Sequence, residues 1–298
     1  MLALQYIKHK DIDFKKWDNT ILNSKIPTVF AHSYFLNTMS PNWNALVIND
    51  YETVFPLTWK RKFGILYLPQ PHFTSQLGAF GLIDDEREQL FHEYILKHFK
   101  LIEIELNAAN HIQTDYIQNK NTFAIEYAKG FNFNQNTKRN IAKAKENGLK
   151  VEEISANEII SLSEKILNPF LLQQINLPKL EVNRFGDLLK NCIREKSLYS
   201  LKILNEKKEV KAIGHFVYNN RYALFLKGTN IDKEENSGSM HLLISHAIDF
   251  FEDKVERFDF GGGSLTKGLA DFYKGLGGEQ HDYHFMRVNN LPKVLKVF

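Results

Sequence analysis

The sequence contains a single cysteine, Cys192, so an intrachain disulfide is excluded. This scarcity is typical of a reducing compartment. Cys192 lies within an amphipathic helical pattern, which favours a buried small hydrophobe over a catalytic thiol. The N-terminus lacks a basic start followed by a long apolar core, so no signal peptide is expected. No apolar run approaches the roughly 20 residues of a membrane-spanning helix. These absences predict a cytoplasmic protein.

Strong charge bias and metal-ligand patterns are also missing. The formal net charge of +3 is too small to indicate a nucleic-acid-binding protein by itself. The histidine pair His281 and His284 would face opposite sides of a strand, and no carboxylate or cysteine pattern accompanies it. We therefore predict no metal site. His215, in the middle of a predicted strand, is more typical of a hydrogen-bonded core histidine than of a catalytic base.

The second half of the chain has the clearest pattern of elements. Segments Leu198–Leu204, Val210–Tyr218 and Arg221–Lys227 are rich in strand formers and predict an antiparallel meander. The pair Asn219-Asn220 predicts a two-residue hairpin turn, since Asn tolerates positive φ. Apolar residues from Met240 to Phe251 then recur with helical spacing, which predicts an amphipathic helix with one buried stripe.

Further elements flank this meander. Two helices, Ala156–Leu167 and Glu181–Glu195, are predicted before it, separated by a loop that contains Pro169 and Pro178. A strand, Glu256–Phe260, and a helix, Thr266–Lys274, are predicted after it. The first half repeats nearly the same order of elements without a residue-level repeat. A chain of 298 residues also fits two medium domains.

This order predicts an α/β chain with mixed sheets (α+β in character) and two similar domains, 1–135 and 136–298. The last strand, Gln280–Val288, is free to return to the first domain. A short basic helix, 136–148, is predicted at the junction, with Asn136 or Thr137 as its cap and Gly148 at its end. This helix is either a solvated connector or a positive rim on a cleft between the domains, suited to phosphate groups.

A glycine-rich loop follows the strand that ends near Phe260. Gly261, Gly262 and Gly263 have no Cβ, so the backbone there can approach a ligand closely, and Ser264 comes next. Exposed backbone N–H groups in such a loop can form an anion-binding concavity. The alternative interpretation is a tight strand-to-helix connection.

The element order of the second half resembles the GNAT fold, the fold of acyl-CoA N-acyltransferases. Two such domains in tandem resemble the Fem-type aminoacyltransferases and their GNAT-like relatives. The resemblance spans most of the chain, and five segments in the family's order carry it: Leu68–Phe73 leading to Gln76–Gly78, Asn136–Ala144, Phe258–Gly262, Phe272–Gly278 and Asn290–Pro292.

The resemblance implies transfer of an acyl or aminoacyl group to an amine acceptor, which in Fem-type ligases is the peptide of a cell-wall precursor. It implies no tightly bound cofactor, and either aminoacyl-tRNA or acyl-CoA as co-substrate. The sequence departs from the family twice. Fem-type proteins carry a lysine in the segment that corresponds to Phe272–Gly278. Tyr273 occupies that position here, and Lys274 is the next residue, whose side chain is rotated by about 100° on a helix. GNAT enzymes bind the CoA pyrophosphate at a glycine-containing turn before a helix. In the corresponding segment of this sequence only the first of those glycines, Gly238, is present, and the negative charge of Glu235 would oppose an anion.

Amide formation requires donors aimed at the developing oxyanion and a proton or cation at the leaving group. We predict that Tyr273 and Lys274 act at the leaving group, and that Asp259 orients the amine or accepts its proton, unless it anchors the loop. The predicted donor-binding residues lie on the third meander strand, the Gly238 turn and the glycine loop: Leu226, Lys227, Gly228, Gly238, Ser239, Gly261, Gly262, Gly263 and Ser264. The predicted acceptor-binding residues are Lys138, Arg139 and Phe73.

Two other functions fit the same residues. The first keeps the fold but loses catalysis, leaving a module that binds an anion or another ligand. The second is RNA binding by the basic helix, which predicts an affinity that falls steeply with salt. The identity of the acceptor and the oligomeric state are left open by the sequence.

Overall fold

The computed structural model describes residues 2–111, 116–231, 237–261 and 266–292. The chain divides into two compact units: unit 1 is Met1–Asn121 with His281–Phe298, and unit 2 is Thr122–Gln280. Unit 2 begins before the predicted junction at 135/136 because Ala124–Glu126 pairs with the strand Arg257–Asp259.

The regular elements are numbered in chain order. The strands are β1 (Leu4–Ile7), β2 (Asn44–Ile48), β3 (Thr53–Leu57), β4 (Lys60–Lys62), β5 (Ile65–Pro69), β6 (Phe80–Gly81), β7 (Leu101–Glu105), β8 (Ile117–Glu126), β9 (Lys150–Glu153), β10 (Leu198–Leu204), β11 (Val210–Tyr218), β12 (Tyr222–Asn230), β13 (Arg257–Asp259) and β14 (Glu279–Asn289). The helices are α1 (Phe14–Leu22), α2 (Ser33–Met39), α3 (Asp85–His98), α4 (Gln135–Glu146), α5 (Ala156–Leu162), α6 (Asn168–Gln173), α7 (Lys179–Arg194), α8 (Ser239–Phe251) and α9 (Lys267–Gly275).

Unit 1 contains two groups of strands. In one group the order is β1-β2-β3-β6 with antiparallel neighbours. In the other the order is β4-β5-β7-β14, where β5 and β7 are parallel. Asp13 caps α1 by accepting from the Lys15 and Lys16 amides, and Asp84 caps α3. Such caps satisfy N–H groups that have no partner within the helix.

Side-chain amides fix the Leu77–Ala79 segment of unit 1. Asn107 Nδ2 donates to the carbonyls of Leu77 and Ala79, and Asn110 Oδ1 accepts from the Ala79 amide at 2.8 Å. Gly78 has a φ of 97°, and a Cβ there would lie 2.1 Å from Asn110 Oδ1. This glycine is therefore required for a close backbone approach.

Unit 2 is built on one sheet with helices on both faces. The strand order is β8-β13-β12-β11-β10-β9, with β12 and β13 parallel and the other neighbours antiparallel. A Cβ at Gly214 would meet the Leu243 side chain of α8 at 2.7 Å, whereas the next residue, His215, contacts Ser163 at the end of α5. Successive residues of a strand point to opposite faces, so α8 and α5 cover different sides of the sheet.

The helical region before the meander differs from its sequence prediction. The loop expected to contain Pro169 and Pro178 is present at Pro178 but not at Pro169, because the chain stays helical from α5 through a π-helical turn, Ser163–Leu167, into α6. Pro169 lies in the first turn of α6. Because the preceding residues are helical too, Pro169 removes one N–H from the helical ladder directly after the π-helical turn.

The hairpin between β11 and β12 also differs. Tyr218 pairs with Ala223, so the tip is one residue beyond the predicted Asn219-Asn220 turn, and β12 runs to Asn230 rather than to Lys227. Neither asparagine has a positive φ. Instead, Asn219 Oδ1 accepts from the amides of Arg221 and Tyr222, which closes the turn through a side chain.

Candidate functional site

The candidate site lies in unit 2, where β12 and β13 run side by side. Their parallel pairing covers only Tyr222–Leu224 and Arg257–Asp259, and β12 continues beyond it to Asn230. Strands of a parallel pair direct their C-terminal ends to the same edge of a sheet, which is where open α/β sheets bind ligands.

A β-bulge interrupts β12 just past this pairing. His215 pairs with Lys227 and Phe216 pairs with Phe225, so Leu226 is the extra residue of the bulge. A bulge takes one residue out of the ladder and re-aims its backbone groups. Of the predicted donor-binding residues on this strand, Lys227 and Gly228 have register partners on β11, and Leu226 is the one that the bulge releases.

Asp259 ends β13 and is buried, with 1% of its surface exposed. Its Oδ1 accepts from the Gly261 amide at 2.8 Å, and the Thr122 hydroxyl lies 3.2 Å from the same oxygen. The Arg257 guanidinium lies 3.4 Å from Oδ2. These contacts are those of a loop anchor, one of the two roles that the sequence left open for Asp259. Its role toward an amine stays a prediction.

Arg257 joins Asp259 to a second carboxylate. Its guanidinium also pairs with Glu126 on the neighbouring strand β8. Burial, together with the charge of Asp259, raises the pKa of the nearby Tyr222 phenol well above its usual range. Sequence reasoning missed Arg257, although Arg257 and Asp259 are two apart on a strand and therefore project to the same side.

Tyr273, on α9, belongs to the core of unit 2. Its ring stacks on Phe260 with 4.8 Å between centroids, and only 5% of the residue is exposed. Burial, and then the charge of Asp259, raises the pKa of the Tyr273 phenol. The phenol is therefore neutral at physiological pH and carries a hydrogen that it can donate in a hydrogen bond.

Lys274, the next residue of α9, is exposed. Its ammonium lies 5.6 Å from the ring centroid of Phe123 on β8, the ring that also lies 6.4 Å from Tyr273. The one-residue shift from the family position thus gives Tyr273 a buried place and Lys274 an exposed one. Of the three predicted catalytic residues, Lys274 is the one whose side chain is exposed to a substrate.

The glycines that end α9 have a packing role. A Cβ at Gly278 would lie 2.8 Å from the Phe260 ring and 2.9 Å from the Tyr273 carbonyl oxygen. A Cβ at Gly275 would lie 2.8 Å from the Thr137 hydroxyl of α4. These two glycines therefore allow α9 to pack closely against Phe260 and α4. This packing fixes the position of Lys274 on the surface.

The predicted donor-binding turn at Gly238 and Ser239 lies at the start of α8. Gly238 has a φ of 76°, and a Cβ there would lie 2.1 Å from the backbone carbonyl oxygen of Asn140 in α4. Ser239 is buried, and its hydroxyl lies 3.3 Å from Asn230 Oδ1. Glu235, which the sequence analysis placed in this turn, lies outside the described residues.

Gly238→Ala is expected to destabilise the protein by about 2–5 kcal/mol, since the left-handed backbone and the contact with Asn140 both exclude a Cβ. Gly186→Ala in α7 is the matched control, because nothing lies within 4 Å of its Cβ position. This control should stabilise the helix by about 0.5–1 kcal/mol. Urea unfolding of both variants measures the difference, and similar effects would contradict the close α4–α8 contact.

The basic helix α4 starts earlier than predicted. Asn134 is its cap, with Oδ1 accepting from the Thr137 amide at 2.8 Å, so the expected cap at Asn136 or Thr137 is wrong. Thr137 is buried against Gly275, which explains why it is unavailable for capping. The predicted acceptor-binding residues Lys138 and Arg139 are exposed on this helix.

The remaining predicted residues lie elsewhere. Gly261 has a φ of 81°, consistent with the sharp turn expected after β13. Gly262, Gly263 and Ser264 lie outside the described residues. Phe73 belongs to unit 1 and has a φ of 58°.

Two conservative predictions are confirmed. Cys192 is buried in α7, and burial raises the pKa of its thiol to about 12, so it is an inert core residue. His215 is fully buried between the hydroxyls of Ser163 and Ser200. Within the described part of the chain, no three His, Cys, Asp or Glu side chains cluster so as to hold a metal ion.

Comparison with known proteins gives matches in structure alone. No family model matches the chain, and no curated protein sequence does. The crystal structure of FemX matches with a TM-score of 0.64 and 10% identity, over 95% of this chain and 97% of FemX. The C-terminal domain of a putative lysylphosphatidylglycerol synthetase from Agrobacterium fabrum matches with a TM-score of 0.59 and 10% identity, over 93% of this chain and 92% of that one.

A tandem GNAT protein from the clavulanic acid biosynthesis pathway also matches, with a TM-score of 0.50 and 11% identity, over 98% of this chain and 100% of its own. The chain therefore has a mixed α/β, tandem GNAT-like fold of the kind seen in FemX, and the predicted fold is confirmed. None of the described helices combines the length and apolar composition that crossing a bilayer requires.

Proposed function

We propose that unit 2 catalyses the transfer of an acyl or aminoacyl group from an activated donor to an amine. The observation that carries this proposal is the bulge at Leu226, which lies on β12 just past its pairing with β13. A backbone N–H released from the ladder at a strand end is suited to polarise a carbonyl group.

In this reaction, the amine nitrogen attacks the donor carbonyl carbon, and the new C–N bond forms as the carbonyl oxygen gains negative charge. The bond from carbon to the leaving oxygen or sulfur then breaks, the leaving atom gains a proton, and the nitrogen loses one. Leu226 N–H stabilises the oxyanion. Lys274 stabilises charge on the leaving group, and the neutral phenol of Tyr273 gives its proton to the leaving atom and takes up the proton that the amine nitrogen loses. Asp259 holds the start of the glycine loop in place.

Among the donors, we favour aminoacyl-tRNA over acyl-CoA. The start of α8, where a GNAT protein would hold a pyrophosphate, lies against the carbonyl oxygen of Asn140. A carbonyl oxygen disfavours an anion at the same point, and it offsets the helix N-terminus that would otherwise attract one. The exposed cations Lys138 and Arg139 on α4 are available to contact phosphates of a nucleic-acid donor or of the acceptor.

The test is a transfer assay with the purified chain. Charged tRNA and acetyl-CoA are each supplied with a panel of primary amines, and amide products are detected by mass spectrometry. We expect a product from aminoacyl-tRNA and none from acetyl-CoA. A product from acetyl-CoA alone would overturn the donor assignment. Donor binding without any product would instead support the non-catalytic binding module.

A further inference from the structure

A cavity of about 640 Å³ lies in unit 2, apart from the Leu226 bulge and the Lys274 helix. The π-helical turn and α6 form one wall. The start of β11 and the end of β12, which lie opposite the hairpin between these strands, form the other. Residues with polar or cationic side chains in its lining include Lys165, Gln173, Lys208 and Thr229. Its size is that of a small-molecule site.

The wall formed by the π-helical turn is fixed from inside the core. Ser163 Oγ donates to the Ile159 carbonyl at 2.6 Å and lies 2.9 Å from His215 Nε2. Its one proton is thus used, so Nε2 carries the proton of the imidazole, and Nδ1 accepts from Ser200 at 2.8 Å. Burial lowers the pKa of His215 to about 4, so this neutral tautomer persists at physiological pH.

Lys227 is not one of the lining residues but lies beside them on β12. It pairs with His215 in the β11–β12 register, and its ammonium lies 5.5 Å from the ring centroid of Phe170, which lines the cavity. Thr229 is two residues along the same strand, projects from the same face and also lines the cavity. Burial lowers the pKa of Lys227, and no carboxylate among the described residues offsets this.

The acidic residue of the lining does not complement these cations. Glu209 accepts a hydrogen bond from Asn205 at 2.7 Å and pairs with Lys211 at 3.6 Å, outside the cavity lining. Lys165 is exposed at the cavity wall. A half-buried ammonium without a carboxylate partner costs stability, because burial of a charge is unfavourable unless it is paired.

We propose that this cavity binds a small molecule that carries a carboxylate or phosphate group, with Lys227 and Lys165 as its cationic contacts. The side-chain amide of Gln173, which lines the cavity, supplies a further hydrogen bond. This binding site does not depend on the proposed function.

The test compares Lys227→Met with Lys190→Met, which removes the same charge from an exposed position on α7. Binding of inorganic phosphate and of glutamate is measured separately by calorimetry, so that the two anion classes are distinguished. We expect the chain to bind one of them, Lys227→Met to weaken that binding about tenfold or more, and Lys190→Met to leave it unchanged.

Stability and turnover separate this proposal from a structural role and from the proposed function. Lys227→Met should unfold at the same or higher urea concentration, because it removes a half-buried charge that has no carboxylate partner among the described residues. In the transfer assay it should leave kcat nearly unchanged, because the cavity lies apart from the Leu226 bulge and Lys274. Anion binding that is absent, or that survives Lys227→Met, overturns the site. Anion binding without transfer keeps the site and overturns the proposed function.

Discussion

Arg257→Leu is expected to destabilise unit 2 by about 3–5 kcal/mol, because it leaves the carboxylate of Asp259 buried without a counter-charge. Arg257 and Asp259 are 6% and 1% exposed, so water cannot replace the missing partner. Burial alone would lower the pKa of the Arg257 guanidinium. The nearby groups of Asp259, Tyr222 and Glu126 outweigh burial and raise this pKa, which indicates that the guanidinium is firmly held as a cation. Urea unfolding measures the effect.

Arg221→Leu is the matched control for this prediction. Arg221 pairs with Glu256 at 2.8 Å, but both side chains are partly or largely exposed, so this loss should cost about 1 kcal/mol or less. The double variant Arg257→Leu with Asp259→Leu should recover part of the stability, since it removes both charges of the pair. If Arg257→Leu costs no more than Arg221→Leu, the buried network does not stabilise the strand ends.

The elements of this fold were predictable because their signals are local. The bounds of β10 and β11 agree with the strand pattern, and the buried stripe of α8 follows from helical spacing. Local competition accounts for two errors. Asn134 caps α4 in place of Asn136, and Asn219 closes its turn by side-chain hydrogen bonds rather than by positive φ.

The candidate site was less predictable because it depends on long-range contacts. Thr122 meets Asp259 across 137 residues of sequence, and no periodicity connects them. The bulge at Leu226 is a mismatch between two strands and has no signature within either one. The π-helical turn likewise depends on His215, which lies 52 residues beyond Ser163.

The similarity to FemX illustrates the same division. At 10% identity the sequences share little beyond a pattern of elements, yet the fold is retained along nearly the whole chain. Packing needs only apolar side chains of suitable volume at the right spacing, so many sequences satisfy one fold. Catalysis, in contrast, needs particular side chains at particular positions. Tyr273 stands at the position that resembles the lysine of Fem-type proteins, and Lys274 is next to it, so variants of Lys274 are the most informative test.

Lys274→Met is expected to lower kcat for transfer about 10²–10³-fold, because it removes the exposed cation that we assign to the leaving group. Stability should change by less than about 0.5 kcal/mol, since the side chain is exposed. The matched control is Lys254→Met, an exposed lysine whose ammonium likewise lies over an aromatic ring, that of Phe250, at 4.0 Å.

Lys274→Arg sharpens the assignment. Arginine keeps the charge but spreads it over a planar group, so it should restore part of the rate if charge stabilisation is the role. Lys274→Met and Lys254→Met each remove one positive charge. If Lys274 only contributes to the overall electrostatic attraction of an anionic donor, both variants should show a similar change, mainly a higher KM. A kcat that is equal in these two variants would exclude Lys274 from the reaction and leave Tyr273 as the remaining proton donor on α9.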